Sequence, residues 1–244
     1  MTVSTISESQ CKAARVAAVL YLLMVLTAPF ALIYVPRKLM VPGDATATAD
    51  NLRASESLLR LGIGSELFHQ AVAIFLVLAL YRLFKPVNEK LAVLVVILGA
   101  LVSVPIVFLN VVSEIAALIL VSGADFLSVF EKQELDALAY LFLRLHEQGL
   151  VVTSVFWGLW LLPFGMLVIQ SGFIPRVLGV LLVIAGSAYL ASSFASLVLP
   201  RYAELVDRFA MVLAFGELPF TLWLWIWGVR LRPSVVPAAD SAGG

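Results

Sequence analysis

A single cysteine, Cys11, rules out an internal disulfide. Its place just ahead of the first long apolar run is that of a reduced cytoplasmic thiol, with juxtamembrane palmitoylation as the alternative. Charge is scarce as well: Asp, Glu, Lys and Arg make up 13% of the residues, and sixteen bases balance sixteen acids. With a formal net charge of zero, no global field points to nucleic acid or to an anionic substrate. No Gly-x-x-x-x-Gly-Lys loop and no Gly-x-Gly-x-x-Gly turn occurs, so the usual cradles of a nucleotide cofactor are absent. Ser65, Ser113 and Ser154 all lack the Gly-x-Ser-x-Gly frame of a nucleophile elbow. Histidine is rarer still, with only His69 and His146 and no His-Glu-x-x-His pair.

What the chain has in excess is apolar surface. Hydrophobic residues make 62% of it and the mean hydropathy is +1.04, far above a soluble domain. The expected fold is an all-α integral membrane bundle. Six segments reach the ~20 residues that span a bilayer core: 13–35, 58–81, 90–121, 146–169, 176–199 and 208–229. The first is longer than the ~7–15 apolar residues of a signal peptide and reads as a retained span. Pro29, Pro105, Pro163 and Pro219 fall inside spans, where kinks are expected, and the third span is over-long.

The short loops set the expected orientation. Arg82, Lys85, Lys90 and Arg176, with Lys12, Arg15, Arg230 and Arg232 at the ends, belong inside by the positive-inside rule. The opposite side offsets its bases with Asp44, Asp50, Glu56, Asp125, Glu131, Glu134, Asp136, Glu204 and Asp207. Both termini are therefore expected in the cytoplasm. The expected organisation is a cytoplasmic N-terminal tail over 1–12, a transmembrane domain over 13–230 and a disordered tail over 231–244. Trp223, Trp225 and Trp227 would form an inner aromatic belt.

Two outer connections read as interfacial helices. One starts at a Gly43-Asp44 cap and runs to Arg60. The other starts at a Ser128 to Glu131 capping box, places Leu135, Leu138, Ala139 and Phe142 at helical spacing, and turns into the membrane at His146. The two could form a lid or simply pack on the interface.

Four of the sixteen acids, Glu66, Glu114, Glu147 and Glu217, lie inside apolar spans together with both histidines. A charge at mid-membrane costs on the order of 2.5–3.5 kcal/mol on insertion scales, so these groups need partners, protonation or water. Depth groups them. Glu66 and His69 follow an outward entry by ~12–16 Å of helix, and His146, Glu147, Glu114 and Glu217 also map to the outer half. Small and polar neighbours suggest facing surfaces: Gly62, Glu66, His69 and Ala73; Asn110 and Glu114; Glu147, Ser154 and Gly158; Ala210, Ala214, Glu217 and Thr221. Arg60 and Arg144, at the two outer entrances, could supply counter-charge.

The sequence leaves several uses open for this pocket. The polar groups could be structural pairs that pin the helices. They could bind or pass a small solute, an ion or a lipid head group from the bilayer. His69 and His146 with two carboxylates, Glu66 and Glu217, could hold a divalent metal such as zinc, the basis of an intramembrane hydrolase. Bis-histidine haem ligation is the remaining alternative.

Three stretches look familiar: Ala28 to Lys38 continuing through Val41 to Thr48; Leu145-His-Glu-Gln-Gly149; and Phe156 to Pro163 followed by Ser171 to Arg176. They resemble a bacterial multi-pass membrane family known only as a domain of unknown function, over about Lys12 to Gly228. The resemblance implies a bacterial plasma-membrane protein. It implies no reaction and carries over no catalytic residues.

Overall fold

Prolines and glycines decide where these helices stop and where they only widen. The computed structural model describes residues 6–228. Arg230, Arg232 and the expected tail over 231–244 lie outside the described residues. Six rods long and apolar enough to cross a membrane run over Glu8–Leu39, Glu56–Phe84, Glu89–Val121, Lys132–Ser171, Arg176–Val198 and Pro200–Ile226. Among the described residues there is no strand, and the chain is an all-α membrane bundle.

The first rod begins earlier than its apolar run. A capping box between Ser7 and Gln10 starts α1 (Glu8–Pro29), with the Ser7 hydroxyl accepting from the Gln10 amide at 3.2 Å. A π-helical stretch over Phe30–Tyr34 leads into α2 (Val35–Leu39). The third rod repeats this design: α5 (Glu89–Val96), a π-helical stretch over Ile97–Val102, then α6 (Ser103–Val121). Each widened stretch ends just before a proline, Pro36 or Pro105. A proline ring crowds the carbonyl four residues back and offers no N–H, and a wider turn relieves both. The sixth rod breaks outright at Phe215 and Gly216, between α9 (Pro200–Ala214) and α10 (Glu217–Ile226). A Cβ on Gly216 would sit 2.7 Å from the Leu181 carbonyl oxygen, so only glycine lets the broken rod approach α8 (Arg176–Val198).

Of the two expected outer helices, the first is α3 (Ala45–Ala54), capped by Asp44, which accepts from the Ala47 amide at 2.9 Å. It stops at Ser55, before α4 (Glu56–Phe84). The second is not a separate element. Its residues are the opening turns of α7 (Lys132–Ser171), which passes His146 without turning. No proline or glycine falls between Lys132 and Gln148 to stop it, and its capping box uses Glu131 and Glu134 rather than Ser128, which closes a 3-10 turn. At 40 residues, α7 is about 60 Å long, well beyond a ~30 Å hydrocarbon core. Its first turns project to carry α3. Asp136, with a side chain only 1% exposed, accepts from Arg53 at 2.5 Å and from Lys132 at 2.8 Å, and Asp50 joins both bases.

Two apolar clusters flank the middle of the bundle. One gathers Val35, Leu52, Leu59, Val111 and Ala139 beneath α3. The other joins Ala17, Leu80, Phe84, Phe164 and Phe220 toward the opposite end. In hydrocarbon, close packing rather than water exclusion holds helices together. Helices α7 and α8 achieve it with two glycine pairs, Gly158 against Gly186 and Gly165 against Gly179, where an added Cβ would meet backbone oxygen at 2.5–2.7 Å.

Candidate functional site

Three ionisable side chains from three helices meet between these clusters. Glu66 comes from α4, Glu114 from α6 and His146 from α7, and their residues are 4%, 6% and 6% exposed. His146 Nε2 lies 3.4 Å from Glu66 Oε2 and 3.9 Å from Glu114 Oε1. One ligand atom from each lies within 4.8 Å of the other two. Glu66 Oε1 and Glu114 Oε2 are buried without a hydrogen-bond partner among the described residues.

Asn110, one turn before Glu114, fixes the imidazole. Its Nδ2 donates to the His146 carbonyl at 2.9 Å, and its own backbone carbonyl lies 3.3 Å from His146 Nδ1. A carbonyl oxygen only accepts, so in the neutral ring Nδ1 carries the hydrogen and Nε2 presents its lone pair to the carboxylates. Gly149 makes the arrangement possible, because a Cβ there would lie 1.9 Å from Asn110 Oδ1.

The trio forms part of the walls of two cavities. A small one, about 80 Å³, is bounded by Glu114, His146 and Glu147 with Val35 and Leu59. A large one, about 640 Å³, takes Glu66 into its wall together with His69, Gln70, Tyr21 and Glu217.

Asn110 and Glu147 thus adjoin the trio, whereas His69 and Glu217 make their hydrogen bonds to α1. His69 turns toward α1, where its Nδ1 meets Thr27 Oγ1 at 3.0 Å. Thr27 Oγ1 also lies 3.0 Å from the Leu23 carbonyl, and when its hydrogen goes there His69 Nδ1 donates to it. Glu217 opens α10 and accepts from the Tyr21 hydroxyl at 3.1 Å. Thus, among the described residues, the set His69, His146, Glu66 and Glu217 does not come together, and the cluster that forms contains Glu114 in place of His69 and Glu217. Arg60 and Arg144 do not supply counter-charge to it. Arg60 pairs with Glu56 at 2.6 Å and Arg144 with Glu147, each along its own helix. Ser154 and Gly158 face α8, with Ser154 bonded to Ser193 at 2.6 Å. Ala210, Ala214, Glu217 and Thr221 all line the larger cavity.

Several residues had no sequence signal for their part. Thr27 and Tyr21 look like ordinary polar residues of an apolar span, and only the packing of α1 shows that they hold His69 and Glu217. Gly149 could have been suspected from its position one turn after His146.

Residues 16–228 match the family described as Domain of unknown function (DUF4386). The chain belongs to that family. The matched stretch contains all three residues of the trio, so in this DUF4386 protein the site lies within the family's own domain. The chain is also similar to an uncharacterized protein of the archaeon Archaeoglobus fulgidus, 35% identical over 81 residues. That match takes in 33% of this chain and 47% of the relative, so the chain spans about half the length of that relative. No solved structure matches the chain.

Proposed function

We propose that this DUF4386 protein holds a divalent transition-metal cation inside the bilayer, at Glu66, Glu114 and His146. The observation that carries the reading is the pair of buried carboxylate oxygens left without a partner beside an imidazole whose Nε2 is free. Two carboxylates against one imidazole leave an excess of negative charge in a medium where each uncompensated charge costs on the order of 2.5–3.5 kcal/mol. A cation supplies the compensation. One imidazole and two carboxylates form a nitrogen and oxygen donor set that suits zinc, and three protein ligands leave a position open to a small solute. The hydrogen bond from His146 Nδ1 to a backbone carbonyl is the usual support of a metal-bound histidine.

On this reading the protein lies in the bacterial plasma membrane with both termini in the cytoplasm, and the α3 end and the trio occupy the outer half. A second reading, a metal-dependent intramembrane hydrolase, is favoured by one feature: Glu66 shares the wall of the larger cavity with His69, whose neutral ring keeps one nitrogen as a base. The test is thermal stability of chelator-treated protein in detergent. Added zinc should raise the melting temperature of the wild type and of His69→Ala, but not of Glu66→Gln. A rise of equal size in Glu66→Gln would place the metal elsewhere.

A further inference from the structure

The cavity of about 640 Å³ is far larger than a single cation requires. It falls within the range of sites for small organic ligands. Ile33, Met211 and Phe215 line it while remaining 48%, 64% and 59% exposed, so it opens sideways, between the first and sixth rods, toward hydrocarbon.

Its wall holds carboxyl side chains beside the uncharged donors of Gln70, Trp157, Trp160 and Tyr189. Tyr21 donates to Glu217 at 3.1 Å, Ser192 donates to Asp207, and Thr221 donates to the Glu217 backbone carbonyl at 3.2 Å. These hydroxyls are consumed within the wall, whereas Asp207 and Glu217 add acceptors and negative charge. Among the described residues no lysine or arginine lines the cavity. Trp157, Trp160 and Tyr189 share the wall, Trp157 and Tyr189 meeting edge to face at 6.4 Å between ring centroids. Aromatic faces beside carboxylates in an apolar chamber are the surroundings that bind an organic ammonium.

We infer that this cavity binds a lipophilic ammonium ion, a single-chain amphiphile that enters from the bilayer. Its protonated amine sits at Glu217 beside Tyr21, and its chain lies along the apolar wall of α1 and α9. An alcohol of the same length would meet the hydrogen-bonding need and not the charge. A fatty acid would bring a further negative charge to a wall that already holds carboxylates. The inference does not rest on the metal reading, because Glu217 and the aromatic wall are separate from the trio.

The test uses the full chain in phosphatidylcholine nanodiscs, with radiolabelled decylamine as probe and empty nanodiscs as blank. Saturable binding is expected, displaced by unlabelled decylamine and not by decanol or decanoate. Glu217→Gln, whose amide oxygen can still accept from Tyr21, should weaken binding about tenfold or more, and Glu217→Asp should retain it. Trp157→Leu should weaken it about threefold, and this variant carries the test if Glu217→Gln does not fold. Glu114→Gln, away from this wall, should leave decylamine binding unchanged. Retention no greater than in empty nanodiscs, displacement by decanol or decanoate, or unchanged binding in both the Glu217→Gln and Trp157→Leu variants would overturn the inference. A wild type that binds decylamine saturably and shows no zinc response would overturn the metal reading alone.

Discussion

Asn110 and His146 hold each other twice across the interface of α6 and α7, once through the Asn110 amide at 2.9 Å and once through the Asn110 carbonyl at 3.3 Å. The pair sets both the depth and the ring orientation of the only histidine that faces two carboxylates among the described residues. Asn110→Ala removes the first bond and leaves the second, since the backbone carbonyl remains. The expected outcome is a loss of about 1 kcal/mol of stability, read from unfolding in mixed micelles, with the zinc stoichiometry kept.

Gly149→Ala should do more damage than its single methyl group suggests. The new Cβ would lie 1.9 Å from Asn110 Oδ1, so either the asparagine or α7 must move. Overpacking of this kind costs about 1–3 kcal/mol, and zinc affinity should fall with it, measured by competition with a chromogenic chelator. Gly64→Ala is the matched control. Nothing lies within 4 Å of its added Cβ, and removing a helix-interior glycine should stabilise α4 by about 0.5–1 kcal/mol.

Asp136→Asn should loosen the α3 end without touching the trio. Asp136 is buried between Arg53 and Lys132, but those bases are 30% and 60% exposed and can return to water. The cost is therefore about 1–2 kcal/mol rather than that of a fully buried pair. Hydrogen exchange should rise in α3 and in the first turns of α7, while the zinc response stays.

How far these features could be read from the chain depends on the kind of information each requires. The spans were legible because length and apolar runs alone decide them, and the Asp44 cap because its chemistry is local. A common level along the rods was legible too: counting residues along the helices brought Glu66, Glu114 and His146 together. Azimuth was not. Three residues along a helix turn the side chain by about 60° from its start, enough to send His69 to Thr27 on α1 while Glu66 faces α6 and α7. Which neighbour each face meets depends on how all the rods pack, and no spacing within one helix records that. For α7 the absence of a breaker before Gly149 is written in the chain, whereas the fit of Gly149 against a neighbouring asparagine is not.

Closing the gap between α7 and α8 should be costly at any point along it. Gly165→Leu puts a side chain where even a Cβ would lie 2.6 Å from the Gly179 carbonyl oxygen. The expected outcome is a protein that fails to accumulate in the membrane, and Gly179→Leu should fail in the same way, as measured by quantitative blotting of membrane fractions.

The central claim is that Glu66, Glu114 and His146 form one metal site to which His69 and Glu217 do not belong. Elemental analysis of zinc-reconstituted, gel-filtered protein tests it most directly. The account predicts one zinc per chain in the wild type, in His69→Ala and in Glu217→Gln, and less than a tenth of that, on the order of what a lost ligand removes, in Glu114→Gln. Stoichiometric zinc in Glu114→Gln, or none in the wild type, would contradict it.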